Sequence, residues 1–277
     1  MIKKYSYPAL SERDFGWFRV GGPGLANCLF FAAKAYIYAK CNDAEFIEPT
    51  WTKFSIGPWL RRERDKRAYV RLFRNFGIKG LKKAFLISSI KFKKTQVVKF
   101  DSLGNYFGDL NGHHDLIEEY FSKIILSETI SRVNESELEN IVAVHVRLGD
   151  YLPHLRVDIK WYRGIIENIL VINPNQEIVI FSDGTDEELK DLLEISNVRR
   201  AFYGNAFADM WAISKSKLLI ASDSTFSAWG AFMGCKPIIF SKRHFPPVYS
   251  DDSLEAVLGD ETTIPENFKR IILNASF

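Results

Sequence analysis

The stretch IVAVHVRLGDY at residues 141–151 begins as a continuous apolar run and becomes polar after Val146. A run of this kind predicts a strand of a parallel sheet that is buried on both faces. Three similar runs follow it, EIVIFSD at 177–183, KLLIAS at 217–222 and KPIIF at 236–240. Helical patterns separate these runs, so the second half of the chain predicts an open, parallel α/β sheet.

The segments between the four runs are interpreted as helices. They lie at 161–171, 185–195, 208–216 and 224–233, and Gly234 closes the last of them.

The N-terminal part carries a second α/β pattern. GWFRV at 16–20 predicts a strand, and the glycine-rich loop GGPGLAN at 21–27 follows it. A helix at 28–40 then leads to a second strand at 44–49. This is the order of a β–loop–α–β unit.

A domain boundary is expected near the middle of the chain. Residues 60–125 are basic and mostly helical in pattern, and a polar stretch follows at 131–139. We therefore expect an N-terminal domain at 1–135 with a basic helical insert, and a C-terminal domain at 136–277.

Polar clusters end three of the four apolar runs: HVRLGDY at 145–151, FSDG at 181–184 and SDSTFS at 222–227. Open parallel sheets bind their ligands beyond the carboxyl ends of the strands. The sequence therefore predicts a functional site at this edge.

The first cluster contains a strand-end arginine. A guanidinium in that position needs an anionic partner, either the nearby Asp150 or a bound phosphate or carboxylate. His145 lies two residues before Arg147 and therefore on the same side of the strand. It either joins Arg147 as a donor or is a satisfied core residue.

The other two clusters favour a nucleotide. Ser224 and Thr225 follow a strand and begin a helix, so they either bind a phosphate at the helix N-terminus or cap the helix. Asp183 follows a strand and either accepts hydrogen bonds from a ribose or a base edge, or caps the helix at 185–195.

The loop at 22–27 keeps an alternative open. GPGLAN matches the dinucleotide fingerprint G-x-G-x-x-G except at its last position, Asn27, and Glu48 ends the next strand, where a ribose-binding acid is expected. An NAD(P)-dependent oxidoreductase is therefore one alternative function.

Composition bounds the class of protein. The 277 residues are 47% hydrophobic and 26% charged, which excludes a disordered chain. The three cysteines have no C-x-x-C spacing, so a disulfide framework and a zinc ribbon are not expected. No apolar leader follows Met1, and the longest apolar run is shorter than the ~20 residues of a membrane span. We expect a cytoplasmic protein.

Charge is unevenly distributed. The net charge is +3, yet residues 51–100 hold fifteen Lys or Arg and two acids, so this segment carries +13 and the remainder −10. A second alternative is therefore a non-catalytic anion-binding protein. Apolar residues are interleaved with these charges and, if exposed, suit an anionic membrane surface at the inner face of the membrane: Trp59, Leu60, Tyr69, Phe73, Phe76 and Phe85. The alternative is a solvated helical surface, and no nucleic-acid partner is expected.

A metal site is not expected. The chain has no D-x-D, the usual carboxylate pair that holds a divalent ion under a nucleotide diphosphate, and HHD at 113–115 is interpreted as a surface loop.

Taken in order, these motifs resemble the bacterial α-1,2-fucosyltransferase family and the wider fucosyltransferase superfamily. HxRxGDY is intact at 145–151 and FSD at 181–183. The family's GxGNQxF is similar to GLANCLF at 24–30, its S-x-x-SFSWWGA to SDSTFSAWGA at 222–231, and its PKxWF to SKRHF at 241–245.

The resemblance implies a GT-B arrangement of two Rossmann-like domains that face a cleft. It implies an inverting, metal-independent transfer of fucose from GDP-fucose to a glycan, free or lipid-linked, in polysaccharide biosynthesis. Arg147 would neutralise the β-phosphate of the leaving GDP, and Asp150 is the nearest candidate base. Asn27 would lie near the fucose and the acceptor.

The same resemblance implies the donor-binding residues. His145 and Asp183 would contact the guanosine, and Ser224, Thr225 and Ser227 would hold the phosphates. Phe226 in the same element and Gly24 in the first motif belong to the expected donor site.

Four residues depart from the family pattern, and most of them are expected to lie towards the acceptor or the sugar. They are Ala26, Cys28, Leu148 and His244.

Overall fold

The chain divides into two units, Met1–Thr129 and Ile130–Phe277. The computed structural model describes residues 3–54, 60, 68–91, 96–149, 154 and 156–273. The division falls one residue before the polar stretch at 131–139 and six residues before the expected boundary after residue 135.

The N-terminal unit contains two small sheets. Strands β4, β1 and β6 form a parallel sheet in that order, and β2, β3 and β5 form a mixed one. Its elements are β1 (Lys4–Pro8), β2 (Arg13–Asp14), β3 (Arg19–Val20), α1 (Leu25–Cys41), β4 (Glu45–Phe46), β5 (Lys53–Phe54), α2 (Gly80–Lys91), β6 (Gln96–Phe100), α3 (His114–Ile124) and α4 (Ser127–Ile130).

The β–loop–α–β unit begins two strands earlier than predicted, at β1 rather than at β3. β1 pairs in parallel with β4 after the crossover through α1, whereas only Arg19–Val20 of the expected strand at 16–20 is extended, in the other sheet. β1 reads KYSYP, which has no apolar run, yet the rings of Tyr5 and Tyr7 are buried. Tyrosine has high strand propensity and can bury its ring, which a search for apolar runs overlooks.

Arg19 is fully buried, and its donors are distributed over main-chain oxygens. Nε donates to the Thr50 carbonyl at 3.1 Å, and Nη1 donates to the carbonyls of Gly21 at 2.6 Å and Leu10 at 3.3 Å. Nη2 donates to Cys28 Sγ at 3.3 Å. A buried guanidinium is tolerated only when its N–H groups are satisfied, so Arg19 ties the glycine-rich loop to the segment before β5 and to the loop after β1.

The C-terminal unit contains one six-stranded parallel sheet in the order β12-β11-β10-β7-β8-β9. Its elements are β7 (Val142–Val146), α5 (Ile159–Ile172), β8 (Ile178–Ser182), α6 (Lys190–Leu193), β9 (Val198–Arg200), α7 (Ala206–Ile213), β10 (Leu218–Ala221), α8 (Thr225–Gly234), β11 (Ile238–Phe240), β12 (Glu255–Val257) and α9 (Glu266–Leu273).

The four strands predicted in this half are confirmed, and two short edge strands, β9 and β12, add to them. Every residue of β7 is buried, as the continuous apolar run requires. The helix predicted at 185–195 is wrong in extent, because only Lys190–Leu193 is α-helical. Glu188 accepts hydrogen bonds from both the main chain and the side chain of Thr185, and this local turn occupies the predicted first helical turn.

Helix α5 shows how the sequence sets the packing around this sheet. Asp158 caps its start, because the carboxylate accepts from the Lys160 N–H at 2.9 Å. Trp161, Ile165 and Ile169 recur every four residues and are all buried against the sheet. Truncating a fully buried isoleucine such as Ile165 to alanine costs about 2–5 kcal/mol.

The apolar residues interleaved in the basic segment are divided between the core and the surface. Tyr69 and Phe73 are buried, as is Lys83, while Leu60 and Phe85 are exposed. Tyr69 and Phe73 therefore do not meet the condition of exposure that a membrane surface requires, and they contribute to the core. Trp59 lies outside the described residues. In the part of the chain that the structure describes, no helix is long and apolar enough to cross a membrane.

Candidate functional site

The three polar clusters converge at one edge of the C-terminal sheet. β10, β7 and β8 are neighbours and run in parallel, so their carboxyl ends lie side by side. Arg147 follows β7, Asp183 follows β8, and Ser222–Ser227 follow β10. The structure therefore brings together the residues that the sequence placed at this edge.

Arg147 pairs with Asp183. Nη1 of Arg147 lies 2.8 Å from Oδ2 of Asp183, and both side chains are about a quarter exposed or less. The other oxygen, Oδ1, accepts from the main-chain N–H groups of Leu148 at 2.9 Å and Gly149 at 3.0 Å. Asp183 therefore orients the arginine and the loop after β7, rather than capping a helix. Asp150, the partner considered from sequence, lies outside the described residues.

Two glycines permit this contact between the loops. A Cβ on Gly149 would lie within 2.8 Å of Asp183 Cγ and closer still to Oδ2. A Cβ on Gly184 would lie 2.6 Å from Leu148 Cδ1. The close approach of the loops after β7 and β8 explains the glycine in RLGDY and the glycine in FSDG.

His145 faces the interior. Its Nδ1 lies 2.8 Å from Ser222 Oγ and 2.6 Å from Ser227 Oγ, and its ring stacks on Phe226 with a 4.9 Å centroid distance. Burial lowers the pKa of His145 to about 3, so the ring is neutral at physiological pH. The resemblance implied that His145 contacts guanosine and that the Ser227 hydroxyl holds phosphate. In the structure these groups bond to each other and join β7 to α8.

The start of α8 presents a different set of residues. Ser224 caps the helix, because its Oγ accepts from the Phe226 N–H at 3.2 Å. Thr225 and Phe226 are half-buried and are the most accessible residues of the first turn, since Ser224 and Ser227 are buried. The capping alternative therefore holds for Ser224, and an anion at this helix end would meet the main chain and Thr225.

The sequence did not single out Asp223 as a partner of His244. Asp223 Oδ1 accepts from the main-chain N–H of His244 at 2.9 Å and lies 2.6 Å from His244 Nδ1. This contact brings the segment after β11 to the start of α8. The sequence does contain both residues of this pair. The acid lies within SDSTFS, and the histidine stands where the family's PKxWF has tryptophan.

A separate cleft of about 390 Å³ lies in the N-terminal unit, where β1 and β6 end and α1 begins. Asn27 is half-buried in its wall. Two exposed carboxylates also line it: Asp101 pairs with Lys99 at 2.7 Å, and Glu12 forms no ion pair within the described residues. The lining residues are Ala9, Leu10, Ser11, Glu12, Gly22, Pro23, Asn27, Phe31, Lys99, Asp101, Ser102 and Leu103.

The glycine-rich loop beside this cleft depends on Gly21 and Gly22 rather than on Gly24. Gly21 and Gly22 have φ of +71° and +85°, and a Cβ on Gly22 would lie 2.6 Å from Arg19 Nη1. Gly24 precedes the first residue of α1, and a Cβ there would meet nothing within 4 Å. The backbone at position 24 therefore does not need glycine. If glycine is required there, the requirement comes from a bound ligand.

Glu48, the ribose-binding acid of the oxidoreductase alternative, is engaged inside the unit. It is mostly buried and lies 3.8 Å from the buried Lys83 ammonium. Burial raises the pKa of Glu48 and lowers the pKa of Lys83. The charge of each group opposes the pKa shift of the other.

Two of the departures from the family pattern have structural causes. Leu148 is buried in the core of the C-terminal unit, and Cys28 accepts a hydrogen bond from Arg19. Both side chains therefore contribute to the packing of their own units. Ala26 is also buried, while His244 lies beside Asp223 at the carboxyl edge of the C-terminal sheet.

No group of three or more His, Cys, Asp or Glu side chains is arranged to hold a metal ion among the described residues. His114 begins α3 and His113 directly precedes it, so the HHD sequence marks a helix start.

Comparison with proteins of known sequence and structure places the chain in a family. A family model described as glycosyl transferase family 11 matches residues 96–243. The O-antigen biosynthesis glycosyltransferase WbnK of Escherichia coli is 27% identical over 161 residues, which cover 50% of this chain and 53% of that protein. The chain thus aligns with about half the length of this curated relative.

Solved structures resemble the whole fold. Fucosyltransferase NodZ from Bradyrhizobium superposes with a TM-score of 0.58 at 12% identity, over 89% of this chain and 97% of that one. A structure of NodZ α-1,6-fucosyltransferase soaked with GDP-fucose gives 0.53 at 12% identity, over 85% and 94%. The GT-B-like α/β fold expected from the sequence is confirmed by this likeness. Because the family model covers more than half of the residues, the chain belongs to glycosyl transferase family 11.

Proposed function

We propose that this chain is an inverting glycosyltransferase that moves fucose from GDP-fucose to a glycan hydroxyl, with α-1,2 linkage. The observation that carries the proposal is the Arg147–Asp183 pair at the carboxyl edge of the C-terminal sheet, within the residues that the family model matches. The printed description of NodZ as a fucosyltransferase soaked with GDP-fucose supports the choice of donor.

Arg147 is the group that stabilises the leaving diphosphate. A guanidinium can donate two parallel hydrogen bonds to phosphate oxygens, and the contact of Asp183 with Nη1 fixes the direction of this one. The N-terminus of α8, with the Thr225 hydroxyl, supplies further donors. Asp183 acts by orienting Arg147, because Arg147, Leu148 and Gly149 already occupy its oxygens.

His145, Ser222 and Ser227 have a positioning role. Their mutual hydrogen bonds fix α8 against β7, and the helix end must be rigid to be useful as a preorganised anion site. Phe226 stacks on the His145 ring and closes this junction.

The acceptor hydroxyl binds in the N-terminal cleft, beside Asn27. This cleft is lined by polar groups on a glycine-rich loop and on the ends of β1 and β6, where α/β units hold ligands. Glu12 is the stronger base candidate here, because Asp101 is already paired with Lys99. Asp150 remains the candidate on the nucleotide side.

The reaction is a single displacement. The acceptor oxygen forms a bond to the anomeric carbon of fucose as the bond from that carbon to the β-phosphate oxygen breaks, which inverts the anomeric centre. The hydroxyl proton passes to a carboxylate, and GDP leaves with its charge held by Arg147 and the α8 N-terminus. We propose that no metal is needed, since the sequence has no D-x-D and these groups supply positive charge.

A lipid-linked glycan as acceptor would place this activity at the cytoplasmic face of a membrane. The basic segment at 51–100 is compatible with such a location.

The direct experiment is transfer from radiolabelled GDP-fucose to a panel of free and lipid-linked glycans, with GDP-mannose as the control donor. NMR of the product gives the linkage and the anomeric configuration. Transfer with an α-1,2 linkage supports the proposal, and transfer from GDP-mannose alone contradicts the choice of sugar.

The base is tested with a matched pair of variants. Glu12→Gln should lower kcat while leaving GDP-fucose affinity unchanged, because the amide cannot accept the proton. Asp101→Asn in the same cleft should retain most activity. Equal loss in both variants, or loss in Asp101→Asn alone, contradicts the role of Glu12.

A further inference from the structure

The N-terminal unit exposes an unusual group of aromatic side chains. Phe15, Trp17, Phe18 and Phe54, here called the aromatic patch, are 52%, 59%, 37% and 62% exposed. Phe15 stacks on Phe18 with a 4.9 Å centroid distance, and Phe18 meets Phe54 edge-on at 5.4 Å. Phe15, Phe18 and Phe54 thus form one surface cluster, and the exposed Trp17 lies in the same loop between Phe15 and Phe18.

The structure holds this cluster in place from inside. Asp14 is buried beneath the loop, where Oδ2 accepts from Tyr7 OH at 2.5 Å and Oδ1 accepts from Thr50 Oγ1 and from Gly16 N–H, both at 2.7 Å. The Phe15 N–H also donates to the Phe18 carbonyl at 3.0 Å. The hydrogen-bonded loop therefore turns Asp14 inward and its aromatic residues outward.

Helix α2 extends the patch. A Cβ on Gly16 would lie 3.5 Å from Ala84 Cβ, so the aromatic loop contacts this helix. Leu81 and Phe85 lie within one turn of Ala84 and are 80% and 71% exposed. Of the six Phe and Trp side chains exposed among the described residues, Phe202 alone belongs to the C-terminal unit.

The sequence that adjoins the patch is rich in Lys and Arg. Residues 55–95 follow Phe54 directly and contain α2, and they hold thirteen Lys or Arg against two acids. Arg13, Lys79 and Lys82 are exposed at the ends of the same elements. Exposed Trp and Phe beside excess Lys and Arg is the combination that partitions into the headgroup region of an anionic bilayer.

We infer that the aromatic patch, with Leu81 and Phe85, is a docking surface for an anionic lipid bilayer. The rings enter the headgroup region, while the basic residues attract the anionic lipids electrostatically. This surface would hold the protein at the membrane, and it shares no residue with the proposed GDP-fucose site. It differs from the surface considered from the sequence, since Phe85 alone belongs to it among the described residues of that interleaved set.

The test is co-sedimentation with vesicles of phosphatidylcholine alone or mixed with phosphatidylglycerol, at low and high salt. The wild type should bind the anionic vesicles, and high salt should weaken that binding. The double variant Trp17→Ser, Phe54→Ser should bind roughly tenfold more weakly, since it loses two inserted rings. Val171→Ser, which changes an 81% exposed residue of the C-terminal unit, should bind as the wild type does.

Calorimetric titration with GDP-fucose accompanies the assay for all three proteins. Equal donor affinity shows that the double variant is folded, and it separates this inference from the proposed function. Absence of wild-type binding to anionic vesicles, or unchanged binding by the double variant, overturns the inference. Two further results would overturn it. One is that the wild type is a dimer and the double variant a monomer, and the other is that the patch binds RNA more tightly than it binds vesicles.

Discussion

Arg147 and Asp183 follow two adjacent parallel strands, and their side chains meet with Nη1 2.8 Å from Oδ2. The carboxylate also binds the main chain of the loop that carries the arginine. The guanidinium is therefore held at the sheet edge in a fixed direction before any ligand arrives. Preorganisation of this kind is what a site needs to stabilise charge that develops on a leaving group.

Asp183→Asn should reduce transfer without unfolding the protein. The amide oxygen can still accept from the main chain of the loop, but the charge that orients Arg147 is lost. We expect kcat/KM to fall by roughly tenfold or more, because hydrogen bonds to charged groups are worth about 1.5–3 kcal/mol. Asp186→Asn is the matched control, since that side chain is 72% exposed. Equal kinetics for the two variants would argue against the orienting role.

Gly149→Ala should displace Asp183. The new methyl group would overlap the carboxylate, so the loops must separate, and we expect a loss of activity together with a lower Tm. Gly24→Ala is the control for stability, since its methyl group meets nothing within 4 Å. Thermal unfolding and transfer assays on both variants test this, and an unchanged Tm and activity for Gly149→Ala would contradict the described loop contact.

The buried His145 should make stability depend on pH. Its pKa is lowered from 6.5 to about 3 in the folded protein, so below pH 6.5 the unfolded chain binds a proton that the folded one does not. The stabilisation by neutral His145 is thus complete above pH 6.5 and is lost progressively between pH 6.5 and about 3. Over this range the free energy of unfolding falls with acid by up to about 1.4 kcal/mol per pH unit.

Urea unfolding at several pH values measures this effect. His145→Asn keeps a polar group at the junction without a titrating ring, so its free energy of unfolding should fall less steeply with acid than that of the wild type. His154→Asn, which alters an exposed histidine, should retain the wild-type slope. Identical slopes for wild type and His145→Asn would contradict the buried, neutral assignment.

Transfer should survive chelation. If Arg147 and the α8 N-terminus carry the diphosphate charge, dialysis against EDTA should leave kcat within about twofold of the untreated enzyme. Complete loss of activity that Mg²⁺ or Mn²⁺ restores would show that a metal ion does this work.

Much of the C-terminal unit could be predicted from sequence, because its strands are buried on both faces and read as continuous apolar runs. The position of Arg147, Asp183 and Ser224 at one edge followed from the parallel topology alone. The partner of Arg147 did not follow, because Asp150 is near in sequence whereas Asp183 is near only through the pairing of β7 with β8.

The N-terminal unit was less predictable, for two physical reasons. β1 buries tyrosine rings rather than aliphatic side chains, so it lacks an apolar run. The orientation of a side chain such as Phe73 or Trp17 depends on tertiary contacts, so the sequence left open whether Phe73 is exposed, and the structure shows it buried. The exposure of the aromatic patch depends on the buried contacts of Asp14, which set the direction in which the loop faces and which sequence spacing does not reveal.

The measurement that tests the central claim most directly is calorimetric titration of GDP-fucose into the wild type and Arg147→Lys. The account predicts that the wild type binds GDP-fucose and GDP. It also predicts that Arg147→Lys binds them roughly 10- to 150-fold more weakly, the equivalent of about 1.5–3 kcal/mol, because a single ammonium cannot replace the two-pronged guanidinium. Wild-type affinity for GDP-fucose in Arg147→Lys, or a wild-type protein that binds NADH and not GDP, would contradict it.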